Sequence, residues 1–477
     1  MWAYESVFYQ IYPLGFCGAP FENDGCLCHR IRKVEDWIPQ LNRLGMNAVY
    51  FSPVFESDTH GYNTRDYQKI DCRLGTNADF AGLCQRLHAQ GIRVVLDGVF
   101  NHAGRGFWAF QDVLAHREAS PYRDWFYLNF QGDSPYHDGL WYEGWEGNYD
   151  LVKLNLDNPQ VKDYLFSCIS GWVSEFDIDG LRLDVAYCLK PEFIRELRAF
   201  CDGLKPDFFL VGELLHGDYN RWIGEGLLHS ATNYECYKGL HSSFNSMNLF
   251  EIMHSLKRQF GPEPWTLYRG KHLLSFVDNH DVSRIASVLQ EPKHLPLIYA
   301  LMFAMPGIPC IYYGSEWGAK GEKRDGDPAL RVSFDAPQFN ALSEWISVLA
   351  RIKRQSAALC YGDFHDVLIT NRQCVFARRS EEECVWTLIN ADSEPYLFRT
   401  GAAGKQACSL IDDARFTMEE EMVLAPYSAK LLRIEELMRQ ERDCQAFSKE
   451  KGGRDPVFCP FRRPLKNDRS LSYRMAS

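Results

Sequence analysis

No run of about 18 apolar residues, the length a helix needs to cross a bilayer, occurs in the 477-residue chain. The opening residues, MWAYESVFYQIYP, lack the basic cluster and apolar stretch of a secretory signal, so export is not expected. Positive charge is in deficit: 52 Lys and Arg stand against 63 Asp and Glu, for a net charge of −11. That balance excludes a nucleic acid or an anionic membrane as the main partner, because both demand basic faces. Metal-type cysteine spacing is scarce as well. Cys26 and Cys28, with His29 beside them, have no second pair at zinc-finger spacing, so no zinc is expected. The remaining cysteines are scattered, many in apolar surroundings such as those of Cys17, Cys168, Cys236 and Cys310. They read as reduced thiols of a cytoplasmic protein.

Apolar and aromatic material is plentiful. Hydrophobic residues make up 46% and aromatics 14%, with 12 Trp and 24 Tyr, enough for a large core and for flat stacking faces. Short β-rich runs recur eight times: Val7–Pro13, Ala48–Val54, Arg93–Val99, Leu181–Ala186, Phe208–Leu214, His229–Tyr234, Leu273–His280 and Ile308–Glu316. Amphipathic stretches such as VEDWIPQLNRLG and NADFAGLCQRLHAQG separate them, the second stopping at Gly91 like a capped helix. Eight strand–helix units predict an α/β fold, a parallel (β/α)8 TIM barrel, over an open doubly wound sheet.

One connection is too long for that scheme. Residues 103–150, after the third strand, carry the Trp-, Tyr- and Gly-rich segment YHDGLWYEGWEGNYD without helical period, and read as an inserted subdomain. The barrel then occupies 1–102 and 151–352. Strand-like pieces (VLITNR, CVFARRS, CVWTLIN) follow over 353–435 and predict a C-terminal all-β sandwich domain. Residues 436–477 form a polar, locally basic tail in which Phe458 and Phe461 could dock.

Chemistry collects where a barrel keeps its active residues, at the C-terminal ends of strands. The third strand ends in DGVFNH, with Asp97, Asn101 and His102, and the fourth in GLRLDVAY, with Arg182 and Asp184. The fifth supplies Glu213 and the seventh His280 and Asp281, while HGYNTRDY after the second strand holds His60, Tyr62 and Asp66. One acidic strand end reads as a helix cap. Three of them, with two histidines and an arginine, aim at one mouth. Two carboxylates roughly 5–5.5 Å apart can break a glycosidic bond with retention of configuration. One must stay ionised and the other protonated. In GLRLDVAY, Leu181, Leu183 and Val185 share one strand face, and Arg182 and Asp184 the other, where the guanidinium would lower the aspartate's pKa. Glu213 follows the apolar FFLV with no basic neighbour in sequence, which favours its protonated form. Asp184 is then the nucleophile and Glu213 the general acid/base. Asp281 and the two histidines bind sugar hydroxyls and stabilise the oxocarbenium-like transition state.

The ordered set DGVFNH, GLRLDVAY, VGEL and FVDNHD, with HGYNTRDY upstream, resembles the alpha-amylase family of glycoside hydrolases from about Val7 to Ile434. The resemblance implies Asp184 as nucleophile, Glu213 as acid/base and Asp281 as transition-state stabiliser. It implies a cleavage subsite where Tyr62 stacks on the sugar and His102, Arg182 and His280 line the walls, with Asp97 in the same substrate-binding set. By the same likeness the insertion is the family's B subdomain. LVKLN (Leu151–Asn155) looks like an element of the neopullulanase and cyclomaltodextrinase group, whose members usually carry an N-terminal β-domain that this chain is expected to lack. Monomer and homodimer both stay open. No cofactor is required. Family members often hold calcium at the barrel–insertion junction, and Asn101 is the residue here that would join such a site. Among the insertion's aromatics, one or two of Trp141, Tyr142 and Trp145 are expected to touch an α-glucan, and His216 to meet the leaving-group sugar.

The implied reaction is retaining hydrolysis of α-glucosidic, mainly α-1,4, bonds in malto-oligosaccharides, cyclodextrins or related α-glucans. A transglycosylase or a sucrose- or trehalose-active enzyme shares the chemistry. A non-catalytic α-glucan-binding protein is the rival class, and the presence of all three acids argues against it.

Overall fold

The computed structural model describes residues 1–435; the expected tail, with Phe458 and Phe461, lies outside the described residues. Eight parallel strands form one sheet: β1 (Phe8–Ile11), β2 (Ala48–Phe51), β3 (Arg93–Gly98), β4 (Gly180–Leu183), β5 (Phe209–Gly212), β6 (Ser230–Ala231), β7 (Leu274–Ser275) and β8 (Ile308–Tyr312). Their order around the sheet is β6-β5-β4-β3-β2-β1-β8-β7. A parallel bridge between Thr232 and Leu274 joins the two ends, closing the barrel. Each of the eight runs expected from sequence coincides with one strand, β4 starting one residue early at Gly180, though β6 and β7 keep only two residues each.

Side chains alternate across these strands. Tyr9, Val49, Leu96, Leu181 and Leu183 belong to the outer core against the helices, whereas Phe8, Ala48, Tyr50, Val95, Phe209, Val211 and Cys310 fill the interior. Register then sets a polar layer above that apolar one. Arg182 sits opposite Asp97 on one side and Val211 on the other, and Gln10 sits opposite Tyr50.

The helix Pro159–Phe176 shows how the outer ring is specified. Asn158 caps it by accepting from the Gln160 amide, and Pro159 takes the first position, where its missing N–H is not needed. Val161, Leu165, Cys168, Ile169, Trp172 and Phe176 form its buried stripe, each large apolar side chain contributing about 1.5–3 kcal/mol. Trp172 Nε1 also donates to the Tyr67 carbonyl at 2.7 Å.

The segment after β3 is not devoid of helix as its pattern suggested. Trp108–His116 is helical and buries Ala109, Phe110 and Val113; nine residues are too few for a clear period. Beyond short 3-10 turns and a two-stranded pair, Leu128–Asn129 with Trp141–Tyr142, the segment forms a small antiparallel sheet in which Asn148–Lys153 pairs with His102–Gly104 and with Gly144–Trp145. At the C-terminal end, a six-stranded antiparallel sheet forms from Asp363–Ile369 to Ser428–Ile434. A two-stranded pair, Tyr396–Arg399 with Glu421–Leu424, packs Phe398 and Leu424 against Val375, Trp386 and Leu432. No helix among the described residues is long and apolar enough to cross a membrane.

Two glycines predict opposite outcomes. A Cβ at Gly180 would lie 2.4 Å from the Phe209 carbonyl oxygen, so Gly180→Ala is expected to destabilise by about 1–3 kcal/mol. Gly171 lies mid-helix with nothing within 4 Å of an added Cβ, so Gly171→Ala is expected to stabilise by about 0.5–1 kcal/mol. Urea melts of the two variants read both signs.

Candidate active site

At the C-terminal end of the barrel, one guanidinium gathers three carboxylates. Arg182 Nη1 donates to Asp97 Oδ1 and Oδ2 and to Asp184 Oδ1, each at 2.9 Å. Its Nη2 lies 2.8 Å from Glu213 Oε1. All four side chains are buried, at most 7% exposed. Adjacent parallel strands in register explain the meeting: β3, β4 and β5 bring their inward positions to one level. The sequence reading gave Arg182 to Asp184 alone and left Glu213 unpaired. The structure corrects this, because the planar fork reaches both neighbouring strands.

Asp184 also ends differently from expectation. β4 stops at Leu183, and Val185 turns into the left-handed region at φ 40°. Val185 therefore does not join Leu181 and Leu183 on the outer face; it lines the cavity. A β-branched residue is strained at such an angle. The turn aims the Val185 amide at Glu213 Oε2, 3.0 Å away. Glu213 thus has both oxygens held.

The charges follow from this crowding. Burial pushes Asp97 and Asp184 up to about 7 against the opposing pull of Arg182. Glu213 is raised as well, by burial and by the charge of Asp281, with Arg182 and the Val185 amide opposing. Arg182 pulls Asp184 down, as expected, but burial and the charge of Glu213 outweigh that pull, so the carboxyl is raised. Such a set keeps a shared proton near neutrality. Asp281 goes the other way. Burial raises it, but His280 and Arg331 more than offset that, leaving it lowered. Arg331 Nη2 donates to Asp281 Oδ1 at 3.0 Å and contacts Asp327 Oδ2 at 3.0 Å.

Both histidines are neutral, driven down to about 3 by burial. His280 Nδ1 meets the Gln10 amide at 2.8 Å, so its proton sits on Nε2, which faces Tyr62 Oη and Asp281 Oδ2. Tyr62 Oη donates in turn to Asp97 Oδ2 at 3.2 Å. His102 Nε2 has no protein partner and lies 3.7 Å from Asp184 Oδ2.

Above these groups is a cavity of about 510 Å³ lined by Tyr62, His102, Trp145, Asp184, Glu213 and Asp281, among others. The structure therefore brings together the three acids and three of the expected binding residues. Asp97, Arg182 and His280 lie beneath, buried and not lining that cavity. Trp141 and His216 do not line it either. The Trp141 side chain is exposed to solvent, and the His216 ring packs 6.0 Å from Tyr187, which does line it. Tyr142 is core, bonded to Arg105. Sequence reasoning missed Arg331, Asp327, Tyr187 and Asp150. Only the i,i+4 spacing in DPALR hinted at the first two.

The junction residue Asn101 places its side-chain amide nitrogen 3.2 Å from His102 Nδ1, and its backbone carbonyl accepts from the Leu154 amide. Among the described residues, the one trio of acid, His or Cys ligands close enough to share a metal is elsewhere, at Glu56, Asp71 and Cys72. There Lys69 approaches Glu56, and buried Arg73 pairs with Asp71 at 2.7 Å, so protein cations already meet those acids.

Fold and cavity together are those of a (β/α)8-barrel enzyme. Residues 10–456 match the family described as alpha amylase, catalytic domain, and the chain belongs to this family of glycoside hydrolases. It is similar to a cyclomaltodextrinase from Geobacillus thermopakistaniensis (strain MAS1), with 30% identity over 91% of this chain and 78% of that protein. An intracellular maltogenic amylase from Bacillus subtilis (strain 168) is 31% identical over 69% of this chain and 58% of its own length. Among solved structures, the ligand-free cyclic alpha-maltosyl-(1→6)-maltose hydrolase from Arthrobacter globiformis is similar at TM-score 0.75 and 27% identity, covering 91% of this chain and 99% of that one.

Arg331→Ala removes a cation that holds Asp281 down. The Asp281 carboxyl, followed by NMR of carboxyl-labelled protein, is expected to titrate about 1–3 units higher than in the wild type. An unmoved titration would show that Arg331 does not set the ionisation of Asp281.

Proposed function

We propose that this enzyme hydrolyses α-glucosidic, mainly α-1,4, bonds in malto-oligosaccharides, cyclodextrins or related α-glucans, with retention, by double displacement. The observation that carries the reading is the set of three carboxylates from three strand ends facing one cavity, two of them clamped by a single guanidinium. That clamp holds Asp184 and Glu213 on two arms of one planar group, and a pair of carboxyl groups at one cavity is what double displacement requires. Similarity to a cyclomaltodextrinase and a maltogenic amylase supports the same substrate class.

In this mechanism Glu213 carries the shared proton and delivers it to the glycosidic oxygen. Asp184 attacks the anomeric carbon, forming a glycosyl ester as the leaving group departs. Glu213, now ionised, takes a proton from water, which attacks the ester and restores Asp184. Asp281, kept ionised by His280 and Arg331, faces the positive charge developing on the sugar. The unpartnered His102 Nε2 offers a hydrogen bond to a sugar hydroxyl, and the Tyr62 ring stacks on the pyranose. No cofactor is needed for these proton transfers. We place the enzyme in the cytoplasm, in keeping with the cysteines, mostly buried and without disulfides among the described residues.

Asp184→Asn is expected to reduce turnover by roughly a thousandfold or more, since nucleophile and acid act as a unit. Glu213→Gln should regain its first step on α-maltosyl fluoride, whose leaving group needs no proton. NMR of the first product should show the α-anomer; a β-anomer overturns retention. Products from maltotriose, β-cyclodextrin, pullulan, starch and sucrose define the substrate class, and consumption of sucrose alone would refute the α-glucan reading.

A further inference from the structure

A second cavity, about 660 Å³, lies beside the catalytic one. The two share two wall residues, His60 and Asp150. His60 Nε2 and Asp150 Oδ2 are 3.5 Å apart, so the shared wall is a contact between the loop after β2 and the inserted sheet. Both sides of it are anchored. The His60 carbonyl accepts from Tyr12 Oη at 2.7 Å, and His60 Nδ1 lies 3.2 Å from the Tyr62 amide that donates to it. That bond leaves the ring proton on Nε2, facing Asp150, so the contact holds whether the ring is neutral or charged. Asp150 belongs to Asn148–Lys153, the strand paired on both edges within the insertion.

The far cavity has the chemistry of a carbohydrate trough. Arg105 lies 3.8 Å over the Tyr136 ring, and Phe21 exposes 62% of its surface nearby. Gln111 and Asn63 add amides. Its cations are already matched, Arg65 with Asp58 and Arg105 with Asp138, which favours a neutral polyhydroxyl chain over a phosphate or other anion. Exposed aromatic faces among polar side chains suit pyranose rings.

We propose that the His60–Asp150 pair is a bar that ends the catalytic cavity on this side and so limits the length of glucan held there. The cavity beyond takes further sugar units when the bar opens. His60 and Asp150 are specificity-determining residues for chain length. This inference rests on the α-glucan reading above.

The test compares kcat/KM on maltoheptaose with that on maltotriose. In Asp150→Ala and, independently, His60→Ala, the ratio is expected to rise about tenfold, as binding to distant sugar units becomes available to the transition state. Adding Tyr136→Ala to Asp150→Ala should cancel the gain. A merely structural role for the pair would lower both rates together and leave the ratio fixed, overturning the proposal. A gain that survives Tyr136→Ala overturns the assignment of the second cavity. Wild-type activity on both chains with an unmoved variant ratio refutes this inference alone. Wild-type inactivity on both overturns the α-glucan reading and this inference with it.

Discussion

The site depends on one buried guanidinium. Arg182 cannot lose water inside a barrel unless carboxylates replace it, and removing any partner of such a group would leave charge uncompensated. Its fork holds β3, β4 and β5 in one register through Asp97, Asp184 and Glu213. Those carboxylates crowd one another, so burial and mutual repulsion keep a proton among them. On the proposed mechanism, a structural constraint and a catalytic requirement are the same contact.

Around that centre, the chain separates acids by giving them different neighbours. Asp97 is sealed beneath by Tyr50, Tyr62 and Arg182, and serves as counter-charge. Asp184 and Glu213 reach the cavity, the second steadied by an amide that only a left-handed Val185 can present. Asp281 stands apart, drawn to its ionised form by His280 and Arg331. Asp278, three residues earlier in the same motif, is spent on Ser315 and the Ile285 amide. The insertion supplies the remaining wall: Trp145 to the catalytic cavity, and Asp150 to the boundary with the next one.

Much of this was legible along the chain. Eight β-rich runs marked eight strands because a buried parallel strand needs a short apolar stretch and little else. The three acids stood out because each followed such a run where a barrel opens. Less legible were features made by distance. Arg331 is remote in sequence from Asp281, at the end of the four-residue helix Asp327–Leu330, which is too short to show a period. The helix Trp108–His116 is too short to announce itself, and Trp141 and Trp145 look alike as letters although one faces solvent and the other the cavity.

Strand pattern and motif order by themselves determined the barrel, its interruption after β3 and the identity of the three acids, since these depend on local alternation and residue type. The tertiary structure decided how charge is shared. Arg182 serves three carboxylates because parallel strands in register bring Asp97, 85 residues away, and Glu213, at the end of β5, to its level. It also decided which polar residues touch the cavity and which support it from beneath. His60 meets Asp150 only when the insertion folds back over the mouth. Spacing along the chain carries no record of such approaches, because they arise from closure of the sheet and packing of the insertion.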